Sequence, residues 1–176
     1  SHDIGVYYVA ANLSLGAAYF TYDYKNLVVG IDDPVTGLPK QVNYDEASIS
    51  GFEFQGEYTF NDAFSAYLTY GFNDAEYGKN DDVDGIINYE GNQYRFSPEF
   101  SYAVGVRFST DKLRSTLSWN YIDDVFFEAS NDPDTLQEGY GLLNASVEYQ
   151  VTDALTLGLY GKNILDKEDW IDAGHT

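Results

Sequence analysis

The stretch that most constrains this chain is residues 47–76, ASISGFEFQGEYTFNDAFSAYLTYGFNDAE. Phe52, Phe54, Tyr58 and Phe60 fall on one side, with Glu53, Gln55 and Glu57 on the other. After Asn61-Asp62-Ala63, the run Phe64, Ala66, Leu68, Tyr70, Phe72 alternates with Ser65, Tyr67, Thr69, Gly71, Asn73. Successive side chains of a strand point to opposite faces, so this period of two specifies two antiparallel strands around a tight turn. Each arm outruns the usual strand of about 5–6 residues. An apolar ribbon of that length must bury its face against a second sheet or against lipid.

The rest of the chain repeats the pattern. Residues 4–9 read as a short strand, 13–29 as a long one, 32–37 as a turn rich in Asp, Pro and Gly, and 43–60 as the return strand. Phe100, Tyr102, Val104, Val106 and Phe108 alternate with Ser101, Ala103, Gly105 and Arg107; Leu113, Leu117, Trp119 and Tyr121 alternate with Arg114, Thr116, Ser118 and Asn120. Leu143, Ala145, Val147 and Tyr149 alternate with Asn144, Ser146 and Glu148, and Leu155, Leu157 and Leu159 begin the last strand. The turns at Asn61, Thr110 and Thr152 are short, whereas 78–93, 123–139 and 166 onward read as long loops. Short turns at one end and long loops at the other are the organisation of an outer-membrane barrel.

A soluble sandwich gives the same alternation with the faces reversed. Aromatic placement separates the two. Tyr58, Phe60, Phe64, Phe108 and Tyr149 lie near the short turns; Tyr70, Phe72, Tyr121, Phe126 and Phe127 lie near the long loops. Two girdles match the two interfaces of a bilayer, where a ring that is apolar at one end and wet at the other sits best. Seventeen tyrosines among 176 residues fit that use. No run of about 18 apolar residues exists, so no helix is expected to span a membrane; barrel strands never produce such a run. The net charge of −20 argues against binding nucleic acid or anionic lipid, which need a basic face. Cysteine is absent, which excludes disulfides and thiolate chemistry.

The segments AAYFTYDYKNLVVGIDDPVTG, ASISGFEFQGEYTFNDAFSAYLTYGFNDAEY, SPEFSYAVGVRF, YIDDVFFEASN, GYGLLNASVEY and LYGKNILDKE, in that order, resemble the late barrel strands of TonB-dependent outer-membrane receptors. No single piece is a specific motif; the ordered set covers nearly the whole chain. The expected fold is all-β: an antiparallel transmembrane β-barrel segment, about eight strands of a larger barrel that the resemblance implies has about 22. Residues 1–176 are then one partial barrel domain, the C-terminal third of a receptor. No signal peptide, plug domain, energy-coupling box or closing strand is read here, and an open sheet in lipid would leave unsatisfied edges.

The resemblance implies active transport of a scarce nutrient across the bacterial outer membrane, an iron–siderophore chelate by default and cobalamin or an oligosaccharide otherwise. Its implied partners are outer-membrane lipid, a small-molecule ligand and a TonB-type coupling protein, engaged through the N-terminal region; no nucleic-acid partner is expected. Tyr89, Tyr94, Phe126 and Phe127 are the candidate ligand contacts at the outer mouth. The rival readings are a stand-alone small barrel with a structural or adhesive role, and a soluble sandwich binding calcium or carbohydrate.

Asn80, Asp82 and Asp84 stand at alternate positions before Gly85, like the first half of a calcium loop. The twelfth position, which should carry a bidentate Glu, is Gly91, and Glu90 comes one place early. Calcium in the loop 80–91 and a merely solvated acidic tip are both open, and no cofactor is required. Asp123, Asp124, Glu128, Asp132 and Asp134 read as an acidic rim, because a catalytic carboxylate pair needs a fixed separation and a raised pKa. Arg107 and Arg114 are expected to pair across strands with Glu53, Glu57 or Glu148. No constellation of nucleophile and base is present, so an enzyme is not expected.

Overall fold

A computed structural model describes residues 1–33, 36–79 and 89–168. In chain order its strands are β1 (His2–Val9), β2 (Leu13–Asp32), β3 (Pro39–Asn61), β4 (Phe64–Tyr77), β5 (Phe100–Ser109), β6 (Leu113–Ile122), β7 (Val125–Phe126), β8 (Leu136–Gln137), β9 (Tyr140–Thr152) and β10 (Leu155–Gly161). Eight of them form one antiparallel meander, β1-β2-β3-β4-β5-β6-β9-β10, and β7 and β8 form a small ribbon of their own. Among the described residues the sheet is open between β1 and β10.

The short turns share a chemistry. Asn61 Oδ1 accepts from the Ala63 N–H at 2.9 Å, Thr110 Oγ1 from Leu113 N–H at 3.1 Å, and Thr152 Oγ1 from Ala154 N–H at 3.3 Å. A side chain that mimics a backbone acceptor closes a turn without a second strand. The turns at Asn12, Asn61 and Thr110 also reach the next hairpin: Asn12, Ala63 and Lys112 carbonyls accept from the N–H groups of Thr59, Ser109 and Gln150, all at 2.8 Å. The short end is thus a continuous hydrogen-bonded rim.

The β2–β3 hairpin is deeper than the alternation implied. Its strands pair from Leu13↔Tyr58 out to Asp32↔Pro39, whereas β3 leaves β4 at Ala47↔Tyr77. Residues 25–32 and 39–46 therefore project past the rest of the sheet by roughly 25 Å. The tip closes through Gly37 N–H to Asp33 O at 2.7 Å and Asp33 N–H to Leu38 O at 2.9 Å. Gly37 holds φ at +66°, where a Cβ would be strained.

Register sorts the faces. The row Leu15, Gly56, Leu68, Val104, Trp119, Leu143 lies on one side. One step along, Gly16, Gln55, Thr69, Ala103 and Asn120 lie on the other. The apolar side is bare: Val6 is 69% exposed, Leu117 46% and Leu159 76%. Among the described residues no second sheet covers it. On this side Tyr58 and Phe60 are 4.8 Å apart near the short turns, and Tyr102 and Tyr121 5.2 Å apart toward the loops. Phe126 and Phe127 do not belong to the outer girdle. Period-two parity ends at Ile122, and both residues turn into the loop block described below.

The closest packing sits at the loop end. Among the described residues Ala47, Ala75, Tyr77 and Ala129 are the buried apolar ones, Tyr77 being only 1% exposed. They lie under the loops, on the polar side of the sheet.

Candidate binding site at the loop end

Residues 89–97 do not swing free of the sheet. They fold back along β4: Tyr94 N–H donates to Ala75 O at 2.7 Å, Tyr77 N–H to Asn92 O at 3.0 Å, and Gly91 N–H to Tyr77 O at 2.9 Å. Gly91 takes φ +79° at the reversal, which only glycine adopts without strain. Tyr77 is thereby enclosed between Tyr94, 4.8 Å away, and Tyr89, 5.9 Å away. This burial pushes the Tyr77 hydroxyl up to about 12.

The second loop is bolted onto the first. Asn131 accepts from Gln93 N–H at 2.8 Å through Oδ1 and donates to Gln93 O at 3.0 Å through Nδ2. Asn92 Nδ2 reaches Ala129 O at 2.8 Å, and Phe96 N–H reaches Phe126 O at 2.9 Å. Asn131 sits at φ +52°, a region that Asn tolerates better than other side-chain-bearing residues. The loop 123–139 is itself structured by the β7–β8 ribbon and by a 3₁₀ turn at Pro133–Thr135. Asp132 caps that turn by accepting from Asp134 N–H at 3.0 Å. Asp132 of the expected acidic rim is thus a capping residue. Asp123 lies at the root of the loop with its carboxyl pushed up by burial, then by a hydrogen bond with Asp124 and by the charges of Asp124 and Glu99.

Between this block and the projecting β2–β3 hairpin lies a cavity of about 690 Å³, walled by Gly30, Lys40 and Gln41 on the hairpin and by Tyr89, Arg95 and Glu128 on the loops. Its volume suits a small-molecule ligand. Below it the concave polar side of the sheet forms a trough of about 720 Å³ lined by small and polar residues such as Gly16, Gln55, Thr69 and Ala103.

The four aromatic candidates divide. Tyr89 lines the cavity. Tyr94 packs on Tyr77, and Phe127 packs on Phe96 with ring centres 5.5 Å apart. Phe126 pairs with Leu136 in the ribbon. Arg95 also lines the cavity and was not among the expected contacts; its place next to Tyr94 was the available signal. Asn80, Asp82 and Asp84 of the calcium pattern lie outside the described residues, and Glu90 is an exposed turn residue. Among the described residues no three His, Cys, Asp or Glu groups are placed to hold a metal. On the trough side Arg107 pairs with Glu57 at 2.8 Å, as expected. Arg114 stands opposite Glu148 in register, but the Glu148 carboxylate accepts from the Tyr160 hydroxyl.

A family model described as TonB dependent receptor-like, beta-barrel matches residues 1–164. No curated protein matches the chain. Among solved structures it is similar to the ferric yersiniabactin uptake receptor FyuA from Yersinia pestis, with 22% identity and a TM-score of 0.75 over 94% of this chain and 24% of that one. The siderophore receptor PiuA from Acinetobacter baumannii matches at 25% identity and TM-score 0.72, over 94% and 24% of the two chains. The ferric citrate transporter FecA matches at 22% and 0.75, over 94% and 26%. The chain spans about a quarter of the length of these solved chains.

Proposed function

The chain belongs to the TonB-dependent receptor β-barrel family, whose members are outer-membrane proteins; from that premise we propose that it supplies barrel wall and outer mouth to a receptor importing an iron chelate. The observation that carries this reading is the cavity between the β2–β3 hairpin and the hydrogen-bonded loop block, open above a polar trough. A ligand held there sits at the loop end, outside the apolar belt, with a hydrophilic path beneath it. The hydrogen-bonded loop wall suits capture from dilution, because little of it has to be ordered on binding. Tyr89 supplies the aromatic wall. Import against a gradient would draw energy through a TonB-type partner acting on a part of the receptor outside these residues.

The test is uptake of radiolabelled iron by cells whose sole chelate receptor is the whole protein carrying this chain. Uptake that requires both the receptor and the coupling protein is the expected result. Equal uptake in the strain lacking the coupling protein would reduce the protein to a passive pore.

A further inference from the structure

We propose that the turn Tyr94–Ser97 is a strained latch: it fastens the loop block shut against β4 at a cost to the closed form, so that the block opens as one piece to pass cargo down to the trough. The latch itself stands apart from the transport reading; only the use of its opening rests on that reading. The turn closes through Ser97 N–H to Tyr94 O at 3.2 Å, and Pro98 follows it. Its third residue, Phe96, stands at φ +59°. A Cβ is crowded by the neighbouring carbonyl there, so a bulky side chain in this region carries strain. The other described non-glycine residues at positive φ are Asn131, Asn163 and Asp166, whose short polar side chains tolerate it. Within the loop block itself, Gly91 and Asn131 meet the same demand cheaply. Phe96 does not.

Burial of the ring does not offset the strain. Phe96 is 61% exposed, with the Phe127 ring 5.5 Å away and the Arg95 guanidinium 6.0 Å from its centre. The backbone is held instead by bonds from three separate segments. Asn73 of β4 donates through Nδ2 to Ser97 Oγ. Gln93 of the first loop donates through Nε2 to Ser97 O at 2.6 Å, and Phe96 N–H donates to Phe126 O of the second loop at 2.9 Å. Sheet wall, first loop and second loop thus meet at one turn. A strained conformation persists where its surroundings over-determine it, and such residues gather at switch regions. Here the strain lasts only while those bonds hold. Parting the block from β4 releases it, so opening is easier by that amount, and a glycine at this position would lock the block shut.

The experiment compares Phe96→Ala with Phe96→Gly in the whole receptor, by amide exchange in lipid vesicles and by coupled iron uptake in cells. Both variants lack the ring, and only alanine keeps the strain. Exchange in residues 89–97 and 123–139 should be about fivefold or more slower in Phe96→Gly than in Phe96→Ala, the low end of what a left-handed residue other than glycine costs. The strands should exchange alike in both. Uptake should be slower in Phe96→Gly than in Phe96→Ala, and should recover in Phe96→Gly/Asn131→Ala, where the locked block is unbolted. Retention of heat-modifiable gel mobility shows that each variant is folded. Equal exchange in the two variants would overturn the proposal, because the turn would hold no strain to release. Unequal exchange with equal uptake would also overturn it, and equal loss of uptake in both would make the ring a cargo contact instead. Wild-type uptake that does not need the coupling protein would remove the transport reading and leave the latch to stand on the contrast between the two variants.

Discussion

Arg107 donates from Nη1 to the Glu57 carboxylate at 2.8 Å while its guanidinium carbon stands 4.1 Å from the centre of the Tyr67 ring. The carboxylate also accepts from the Ser65 hydroxyl at 3.2 Å. One cation therefore ties β3, β4 and β5 together on the trough side, near the short turns. Both charged side chains are a little over 40% exposed, so solvent screens the pair strongly. A double-mutant cycle on Arg107→Ala and Glu57→Ala, read by urea unfolding from lipid vesicles, should give a coupling of about 0.5–1 kcal/mol. A coupling indistinguishable from zero would mean that the geometry is incidental.

Tyr67 can lie flat under that cation because its β5 neighbour is Gly105. A Cβ built there would fall 2.5 Å from the Tyr67 ring. Gly105→Ala should destabilise the barrel by about 1–3 kcal/mol, the usual cost of overpacking. The same change in a Tyr67→Ala background should cost much less. Equal penalties in the two backgrounds would show that the strain lies in the backbone and not against the ring.

Asn131 makes both side-chain bonds that join the loops at Gln93, and its own loop holds it at positive φ. Asn131→Ala should cost about 2 kcal/mol of local stability through two lost hydrogen bonds and an unfavourable backbone. Amide exchange should then accelerate in residues 89–97 and 123–139 together, with the strands unaffected. Acceleration in only one loop would show that the two are not one unit.

Tyr77, beyond the aromatic belt at the loop end of β4, has its hydroxyl raised from 10.0 to about 12 by burial. The folded state therefore holds a proton that the unfolded state has lost between those values. Its contribution is complete below pH 10 and disappears as pH rises through 12. Loop-block stability should fall across that window in wild type and less steeply in Tyr77→Phe. Phenolate absorbance should also lose a component near pH 12 in the variant. Identical profiles would place the Tyr77 hydroxyl in water.

The two sides of the sheet should respond oppositely to charge. Val104→Arg introduces a cation on the bare apolar face and should cost about 2–4 kcal/mol in vesicles, whereas Thr116→Arg on the trough side should cost well under half of that. Similar costs would mean that the sides are assigned the wrong way round.

Sequence parity made most of the sheet legible, because a strand with one face in lipid cannot slip by a residue without exposing every side chain on the wrong side. The pairing of Phe54 with Tyr70 and of Tyr102 with Tyr121 follows from that alone. Parity fails where both faces meet water. The outer half of the β2–β3 hairpin, KNLVVGID and PKQVNYDE, mixes apolar and polar residues without a period of two, so its length could not be read. The loop block was equally hidden: Gln93 and Asn131 lie 38 positions apart, and nothing in an amide side chain names its partner. Phe126 and Phe127 were assigned to the girdle on proximity to a strand end, where no periodicity tells lipid from loop packing.

Every strand of the meander lies beside its sequence neighbours, apart from the small ribbon spliced between β6 and β9. Growth of such a wall needs no crossing and no threading. A hairpin delivered to a free edge finds its register from one row of side chains and is latched at the bottom by the carbonyl of the turn before it, as Thr59, Ser109 and Gln150 are. Loop closure then costs little at each step, since the contacts that reward it are local. The rim of turn-to-turn hydrogen bonds thereby amounts to an assembly order written along one edge, in which each hairpin prepares the seat for the next.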